Sequence, residues 1–434
     1  MRGLVLLLAV FLALCIALPF PYAGVLLWTW FSLQAPHREV YGFVQTAPVN
    51  FVIAFVTIAA WLFSAERKLP RADIILVTIV LFLAWVTFNG FFAFDPSRSW
   101  PYWDQTWKIF ALGLLIATMA TSRVRIHALL WVIVLSLFYF GVKGGIFTLA
   151  TGGHFHVEGP PETIIADNNQ LAVALLMTLP IAYYLRTQTA NRLVASGLLA
   201  GIVLTIIAIL GSYSRGAFIG LGALALMGLL RMRHRVRYLI AAGMLAMFSL
   251  AFMPEGYFLR MQSIGAAGTD VSFEGRVTAW KVAWMYACDH FPFGAGFIGP
   301  ALSPLFHSYF PGKTVLAAHS IYFQVLGEQG FAGLVLYGII LAAAFLRCSR
   351  IIAATRRAPE LRWISGLVTA IQTSLVVFCV AAAALSMAYY DLFVICVTLL
   401  PPLRDLASSA PAGRREEWID SGALVRNAPI TNSR

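Results

Sequence analysis

Three residues in this chain combine reactive or charged side chains with unusual positions: Arg215, Arg276 and His319. Arg215 lies in the short turn 211–217 between two apolar runs, among small neighbours that allow close approach of a ligand. Arg276 lies near the start of the segment 274–291, which is predicted to be a short amphipathic helix on the membrane surface because Trp280 and Trp284 are four residues apart. His319 stands where a polar stretch gives way to a long apolar run. Arginine binds phosphate oxygens through two parallel hydrogen bonds, and neutral imidazole is a good general base near pH 7. This combination indicates a substrate with a phosphate or pyrophosphate group.

Each of these residues also has an ordinary structural explanation. Arginines near a membrane surface commonly extend to the interface as anchors, and Arg276 is close enough in sequence to Glu274 for an ion pair. A single histidine at the start of a helix is more often structural than catalytic. The chemical interpretation is favoured because the predicted topology puts all three residues on the same side of a membrane, where pyrophosphate is usually carried by a polyprenyl lipid.

The composition is that of a membrane protein. The chain is 60% hydrophobic and only 12% charged, whereas soluble domains carry about 25% charged residues. Its apolar runs are unbroken and about twenty residues long, which suits membrane-crossing helices better than the short alternating strands of a barrel. The sequence therefore predicts an all-α, polytopic integral membrane protein with about twelve transmembrane helices.

The predicted spans are 3–18, 48–64, 72–93, 105–121, 126–149, 169–185, 193–211, 215–230, 238–253, 319–346, 363–384 and 389–403. The first is expected to remain as an anchor because it lacks the small-residue cleavage site of a signal peptide. A further apolar piece, 23–33, is too short to cross and is predicted to be re-entrant or interfacial.

The distribution of basic residues predicts the orientation. With both termini cytoplasmic, 22 of the 31 lysines and arginines lie on the inner side, as the positive-inside rule requires. One large periplasmic loop, 254–318, then lies outside, and Arg215 and His319 face the same side. The net charge of +12 is explained by these short clusters, which predicts contact with membrane lipids and no nucleic-acid partner.

Three domains are expected along the chain: an N-terminal membrane region, 1–190, with the first six spans and the re-entrant piece; a second membrane domain, 191–403, with the periplasmic loop; and a cytoplasmic tail, 404–434. The tail is polar and is predicted to be disordered.

Other candidate motifs carry less weight. His154 and His156 lie with two glutamates in a Gly/Pro-rich loop, 151–161, that has no helical ligand spacing, so no metal site is predicted. Residues 294–299 match GxGxxG, but no strand precedes them, which favours a turn. The five cysteines have no metal-ligand spacing and are expected to be free thiols. No cofactor is predicted.

Several motifs in sequence order resemble the O-antigen ligase and polymerase superfamily. They are Asp167-Asn168-Asn169, the turn 211–217, Gly275-Arg276 followed by Trp280, the segment 292–296, and His319 followed by Tyr322, Glu328 and Gly330. The N-terminal motifs 28–32, 35–38 and 139–145 look like those of the exosortase-associated O-glycosylation ligases. Ser320 is a departure, since many relatives have Asn after the histidine.

The resemblance implies a metal-independent, inverting glycosyltransferase on the periplasmic face of the bacterial inner membrane. Its donor would be an undecaprenyl-pyrophosphate-linked glycan and its acceptor a protein or lipid hydroxyl. By this analogy Arg215 and Arg276 bind the donor pyrophosphate, and His319 deprotonates the acceptor.

Two alternatives remain open at this level. A polymerase of the same superfamily, which would extend O-antigen or exopolysaccharide repeat units, shares the same arginines and histidine. A flippase or transporter of lipid-linked glycan would carry no chemistry, but it would be expected to show internal repeats and charges at mid-membrane.

Overall fold

The computed structural model describes residues 2–68, 70–231 and 271–409. Throughout these residues the regular secondary structure is helical, as the sequence predicts. The N-terminal helices are α1 (Arg2–Ala17), α2 (Pro21–Gln34), α3 (Val49–Leu62), α4 (Ile74–Gly90), α5 (Pro96–Met119) and α6 (Arg123–Ala150). The later helices are α7 (Asn168–Gln188), α8 (Arg192–Gly211), α9 (Arg215–Arg231), α10 (Val271–Asp289), α11 (Ser303–Tyr309), α12 (Ile321–Thr355), α13 (Arg362–Ala381), α14 (Asp391–Thr398) and α15 (Leu400–Ser408).

Four helical segments of the described chain are long and apolar enough to cross a membrane. They are α6, α8, α12 and the segment Pro359–Ala384 that contains α13. Shorter apolar helices are Arg2–Ala17, Val49–Leu62, Ile74–Gly90 and Arg215–Leu229. At 1.5 Å per residue, helices of this length extend about 21–26 Å, less than the roughly 30 Å of a bilayer core. The total of about twelve spans therefore stays a prediction, as does the periplasmic position of residues 254–318.

The short apolar piece predicted at 23–33 forms α2, a helix of 14 residues. Several of its side chains are buried, among them Val25, Trp28 and Phe31, and it packs between α3 and α6. The predicted span 238–253 lies outside the described residues. The chain remains helical through Arg404 to Ser408, and the rest of the predicted tail, from residue 410, also lies outside them.

The last predicted span, 389–403, forms two short helices, α14 and α15, that meet at Leu399. Pro401 and Pro402 lie in the first turn of α15. Proline has no backbone N–H and clashes with the preceding turn, so an uninterrupted helix cannot continue through this point.

Helix α7 forms the centre of the bundle. Nearly all of its residues from Leu171 to Leu185 are buried, and it packs against α6, α8, α9 and α13. Its start is capped by Asp167, whose carboxylate accepts a hydrogen bond from the Asn169 N–H at 2.9 Å. A helix packed on all sides holds its first turn at a defined place, and residues Asp167–Gln170 therefore provide a rigid support at one end of the bundle.

Helix α12 is interrupted near the end of the bundle at which α7 begins. Gly330 has φ 69° and ψ −170°, which interrupts the helix after nine residues. The break frees main-chain carbonyl groups, which must find other donors inside a membrane protein. Gly327 and Glu328 accept hydrogen bonds from the backbone of residues 295 and 296, and the indole of Trp85 donates to Gln329 O at 2.8 Å.

The segment 290–299 passes directly against this break. A Cβ atom on Gly294 would lie 2.4 Å from the carbonyl carbon of Glu328, and one on Gly330 would lie 2.2 Å from Pro292 O. Glycine is required where two backbones approach so closely. The GxGxxG pattern at 294–299 is thus a loop that packs on a helix, as predicted.

The opposite end of the bundle is cationic. Arg347 and Arg404 both bind the buried carboxylate of Asp73, with N–O distances of 2.6 and 2.5 Å. At the start of α6, Arg125 binds Glu66 through both of its terminal nitrogens, at 2.8 and 2.7 Å. The Asp73 pairs tie the start of α4 to α12 and α15, and the Arg125–Glu66 pair ties α6 to the loop between α3 and α4.

Candidate functional site

His319 lies in the segment that connects α11 to α12, two residues before α12 begins. Its backbone is in the left-handed region, with φ 42°, a conformation that costs a non-glycine residue about 1–2 kcal/mol. The surrounding structure must hold it there. Its N–H donates to Ser386 Oγ at 3.0 Å, and the carbonyl of the preceding Ala318 accepts from the Trp280 indole at 2.6 Å.

Trp280 connects this segment to α10. Its ring stacks on Phe323 in the first turn of α12, with centroids 5.1 Å apart and planes 5° apart. The face of α10 that carries Thr278, Ala279 and Val282 is buried. The amphipathic segment expected at 274–291 is therefore a helix, Val271–Asp289, that packs on the start of α12.

Arg276 lies one helical turn before Trp280 and is half-buried. The adjacent Gly275 allows the side chain of Leu316 to pack closely on α10, since a Cβ atom on Gly275 would lie 2.4 Å from Leu316 Cδ1. Burial lowers the pKa of His319 below its ordinary value, and the positive charge of Arg276 lowers it further, while Asp167 acts in the opposite direction. The structure thus brings Arg276 into electrostatic range of His319 and favours the neutral imidazole.

Arg215 is the first residue of α9, directly after the turn predicted at 211–217. Tyr213 takes a left-handed conformation, φ 57°, which reverses the chain between α8 and α9. Ser214 then caps α9, because its hydroxyl accepts from the Ala217 N–H at 3.2 Å. The guanidinium therefore belongs to the first turn of a helix, where the helix dipole and exposed N–H groups attract anions.

The start of α7 supports both the arginine turn and the histidine segment. Asn168 donates to Ser212 O at 2.5 Å, next to the turn that presents Arg215. Gln170 donates to Ser386 O at 3.2 Å, and the hydroxyl of Ser386 accepts from His319. Arg215, Arg276 and His319 accordingly occur at one end of the bundle, with Arg276 near His319 and Arg215 joined to them through α7.

A cavity of about 590 Å³ opens next to the segment that carries His319, and Ala317 and Ala318 line it. Arg215, Arg276 and His319 themselves are not among the lining residues. Its lining combines apolar walls with a few polar groups, including Gln170, Gln324, Glu328 and Ser386. This mixture is typical of small-molecule sites, which hold one polar ligand among mostly apolar contacts.

Glu328 forms the buried polar floor of the cavity. Its carboxylate accepts hydrogen bonds from the Tyr389 hydroxyl at 2.9 Å and from the Ile298 N–H at 3.2 Å. Both carboxylate oxygens of Glu328 therefore have hydrogen-bond partners within the bundle.

The other candidate residues have structural roles. The ring of His156 packs edge-on against Tyr213, with centroids 4.7 Å apart, and Glu162 forms an ion pair with Arg38. Glu274 binds Lys313 at 3.0 Å.

Sequence reasoning missed Ser386, Gln170 and the cavity-lining Tyr389. Ser386 lies between two apolar runs with nothing in its neighbours to mark it, and its partner in the site is 67 residues away. Gln170 and Gln324 carried a usable signal, because polar side chains within predicted spans are costly unless they have partners.

Two family models match consecutive parts of the chain. Residues 1–190 match a family of unknown function, DUF5935. Residues 200–338 match the family described as O-antigen ligase. No curated protein matches this chain.

The O-antigen ligase match includes all three candidate residues, Arg215, Arg276 and His319. It also includes α10, α11 and the part of α12 that carries the Gly330 break. The apolar helices are in keeping with a membrane protein of this kind. Residues 200–338 therefore form an O-antigen ligase domain, and this match supports the resemblance of the chain to the O-antigen ligase superfamily.

Proposed function

We propose that this protein is a periplasmic-face membrane ligase that transfers a glycan from undecaprenyl pyrophosphate to a hydroxyl group of a protein or lipid acceptor. The observation that carries the proposal is that Arg276 lies in electrostatic range of His319, next to a cavity of about 590 Å³. This arrangement offers a cation for the donor, a base for the acceptor and an adjoining cavity with room for a ligand.

His319 would accept the proton of the acceptor hydroxyl. A general base has to be unprotonated at the working pH, and burial together with Arg276 lowers the pKa of His319 in the required direction. Two hydrogen bonds hold the segment in position: one from the backbone N–H of His319 to Ser386 Oγ, and one from the Trp280 indole to Ala318 O. The activated oxygen then attacks the anomeric carbon of the donor.

Arg215 and Arg276 would bind the pyrophosphate. As the new carbon–oxygen bond forms, the bond from the anomeric carbon to the pyrophosphate oxygen breaks, and the electron pair stays with the departing lipid pyrophosphate. Guanidinium groups stabilise that developing charge. Attack from the face opposite to the leaving group inverts the configuration, and no metal is required for any of these steps.

The distribution of charge favours the proposed orientation. The ion pairs of Arg125, Arg347 and Arg404 lie at the end opposite to the site. Cationic loops are retained in the cytoplasm, so the candidate site would face the periplasm and both termini the cytoplasm. This orientation can be tested with single cysteines introduced at the two ends of the bundle. Only the cysteines on the periplasmic side should react with a membrane-impermeant thiol reagent.

The decisive experiment is transfer of lipid-linked glycan to a tagged acceptor in cells that express the His319→Ala variant. We expect no transfer at normal protein level. The His154→Ala variant is the matched control, because His154 is an exposed histidine in the loop before α7. Transfer at the wild-type rate by His319→Ala would overturn the catalytic assignment.

The arginine assignments have their own test. Arg215→Lys and Arg276→Lys keep the charge but remove bidentate binding, which is worth about 1.5–3 kcal/mol for a charged hydrogen bond, or roughly 10- to 150-fold in rate. Arg98→Lys is the control, since the side chain of Arg98 is 64% exposed. Full activity of both site variants would refute pyrophosphate binding by these residues.

The length of the lipid-linked glycan separates the ligase from a polymerase. A strain without the protein should keep long carrier-linked chains if the protein is a ligase, because only their transfer is blocked. Loss of those long chains, with single repeat units accumulating on the carrier, would assign the polymerase reaction instead.

A further inference from the structure

A second pocket lies in the N-terminal part of the protein. It has a volume of about 280 Å³ and is bounded by the end of α2, the following loop, the start of α3, α5 and the start of α14. This is near the lower end of the range for small-molecule sites, about 300–1,000 Å³. Most of its lining belongs to residues 1–190, the region that matches a family of unknown function.

The charged side chains of this pocket largely neutralise one another. Arg38 pairs with Glu162, and Lys108 pairs with Asp104 at 2.6 Å. Asp391 adds a third carboxylate, which accepts a hydrogen bond from Ser32 at 2.7 Å. Two cations against three carboxylates do not attract an anion, so phosphate groups are disfavoured here.

Unsatisfied polar atoms indicate that the pocket is built for a polar ligand. Among the described residues, three that line it have a buried polar atom without a hydrogen-bond partner: His37 Nδ1, Asn50 Oδ1 and Tyr390 Oη. His37 is 8% exposed and Tyr390 is 2% exposed. Buried polar atoms without partners are costly, and three around one pocket point to a ligand that supplies the missing bonds.

The lining also includes aromatic surface and a neutral histidine. Phe31 and Phe51 border the pocket, and the ring of His37 stacks on Phe31 with centroids 5.9 Å apart. Burial, and then the positive charge of Arg38, lowers the pKa of His37 to about 4. At neutral pH the imidazole therefore offers one donor and one acceptor, which suits a ligand with hydroxyl groups.

The pocket adjoins the cavity beside His319. Five residues line both spaces: Gln105, Ile109, Glu162, Thr163 and Ile164. The second pocket is therefore the neighbour of the cavity, at a distance set by the size of these shared side chains.

We propose that this second pocket binds a neutral sugar residue of the glycan, away from the sugar that reacts. The inference rests on the proposed function, since it takes the glycan as the ligand of the adjoining cavity. Hydroxyl groups satisfy both donors and acceptors, the carboxylates accept from them, and the ring of Phe51, which is 46% exposed, covers an apolar face of the sugar. The N-terminal region would then recognise the glycan while the second domain carries out its transfer.

The test measures glycan binding separately from transfer. The probe is the oligosaccharide released by mild acid from the lipid-linked donor and labelled at its reducing end, and its binding to the purified full-length protein is followed by fluorescence polarisation. Tyr390→Phe removes one hydroxyl, and His37→Phe removes the ring nitrogens but keeps a ring against Phe31. Each is expected to weaken binding about 2- to 10-fold, as expected for one net hydrogen bond.

Controls separate the possible failures. Tyr41→Phe should bind like the wild type, because Tyr41 is 95% exposed, and His319→Ala should bind normally without transferring. Suppose that Tyr390→Phe and His37→Phe both bind the oligosaccharide as tightly as the wild type, and that transfer by the wild-type protein depends on His319. This result would overturn the sugar pocket and leave the ligase assignment intact. Tyr390-dependent binding without any transfer by wild-type protein overturns the ligase and supports the pocket.

Discussion

Replacing Trp280 by Phe would remove one hydrogen bond that holds the histidine segment while keeping an aromatic ring against Phe323. In the wild-type structure the indole N–H donates to Ala318 O at 2.6 Å, directly before His319. His319 is in a left-handed backbone conformation, φ 42°, so the segment depends on its surroundings to stay in place. We expect Trp280→Phe to let His319 leave its reactive position.

The size of the effect follows from this hydrogen bond. Ala318 is half-buried, so leaving its carbonyl oxygen without a partner costs at most the roughly 1–3 kcal/mol of a buried acceptor. If that free energy is lost from positioning of the base, the transfer rate falls roughly 5- to 150-fold, at 1.36 kcal/mol per factor of ten. The apparent affinity for donor should change little, because Trp280 is not among the residues expected to hold pyrophosphate.

The assay is single-turnover transfer by purified protein in nanodiscs, with donor concentration varied to separate kcat from KM. Trp284→Phe is the matched control, since Trp284 lies on the same helix and is 52% exposed. Ser386→Ala, which removes the acceptor of the His319 N–H, should reduce kcat in the same way. A Trp280→Phe protein with the kcat of the wild type would refute the positioning argument.

Three further predictions concern pH, the α12 break and the cationic end. Because the pKa of His319 is lowered, the transfer rate should be undiminished at pH 7 and should decline only below about pH 6.5, the ordinary histidine value. Arg276→Gln removes the positive charge, so the residual activity of this variant should decline at a higher pH. Arg276→Lys keeps the charge and should leave the position of the decline unchanged. Gly330→Ala would put a Cβ atom 2.2 Å from the carbonyl oxygen of Pro292, on a residue with φ 69°, so this variant should fail to accumulate in the membrane. The control is Gly338→Ala, whose Cβ atom would have no neighbour within 4 Å and which should accumulate normally. Asp73→Asn leaves two arginines without their buried carboxylate and should lower the free energy of unfolding by about 3–5 kcal/mol, measured as a lower unfolding midpoint in detergent.

Each of these has a clear contrary result. A pH profile unaltered by Arg276→Gln would show that Arg276 does not act on the imidazole. Normal membrane levels of Gly330→Ala would show that the loop at 292–294 does not pack against α12 as described. An unchanged unfolding midpoint for Asp73→Asn would mean that the cationic end is held together by other contacts.

Local features of the fold were predictable from the sequence. The turn at 211–217 follows from a cluster of small polar residues between two apolar runs, and the structure has α8 and α9 meeting there. The amphipathic segment at 274–291 likewise corresponds to α10, because Trp280 and Trp284 four residues apart mark a helix. Helical propensity and hydrophobic periodicity act over a few residues, which is why a single sequence reveals them.

The interruptions of helices were not predictable. Residues 319–346 form one continuous apolar run in the sequence, yet the helix begins at Ile321 and breaks at Gly330. Glycine within an apolar run is compatible with an intact helix, and only the approach of Pro292 and Gly294 requires the break. The contacts that compensate for it come from Trp85 and Asn89, more than 200 residues away in the chain.

The amino-acid sequence by itself determined the all-helical character of this protein and the identity of its three candidate residues, Arg215, Arg276 and His319. These properties depend on composition, on local periodicity and on side-chain chemistry. The tertiary structure decided that Arg276 acts on the pKa of His319. It also decided that hydrogen bonds from the start of α7 hold both the turn before Arg215 and the segment at Ser386 that binds His319. It also decided the second pocket, where His37 and Tyr390 meet from opposite ends of the chain. The physical reason is that hydrogen bonds and cavities between distant segments arise from how helices pack, and no local pattern records that packing.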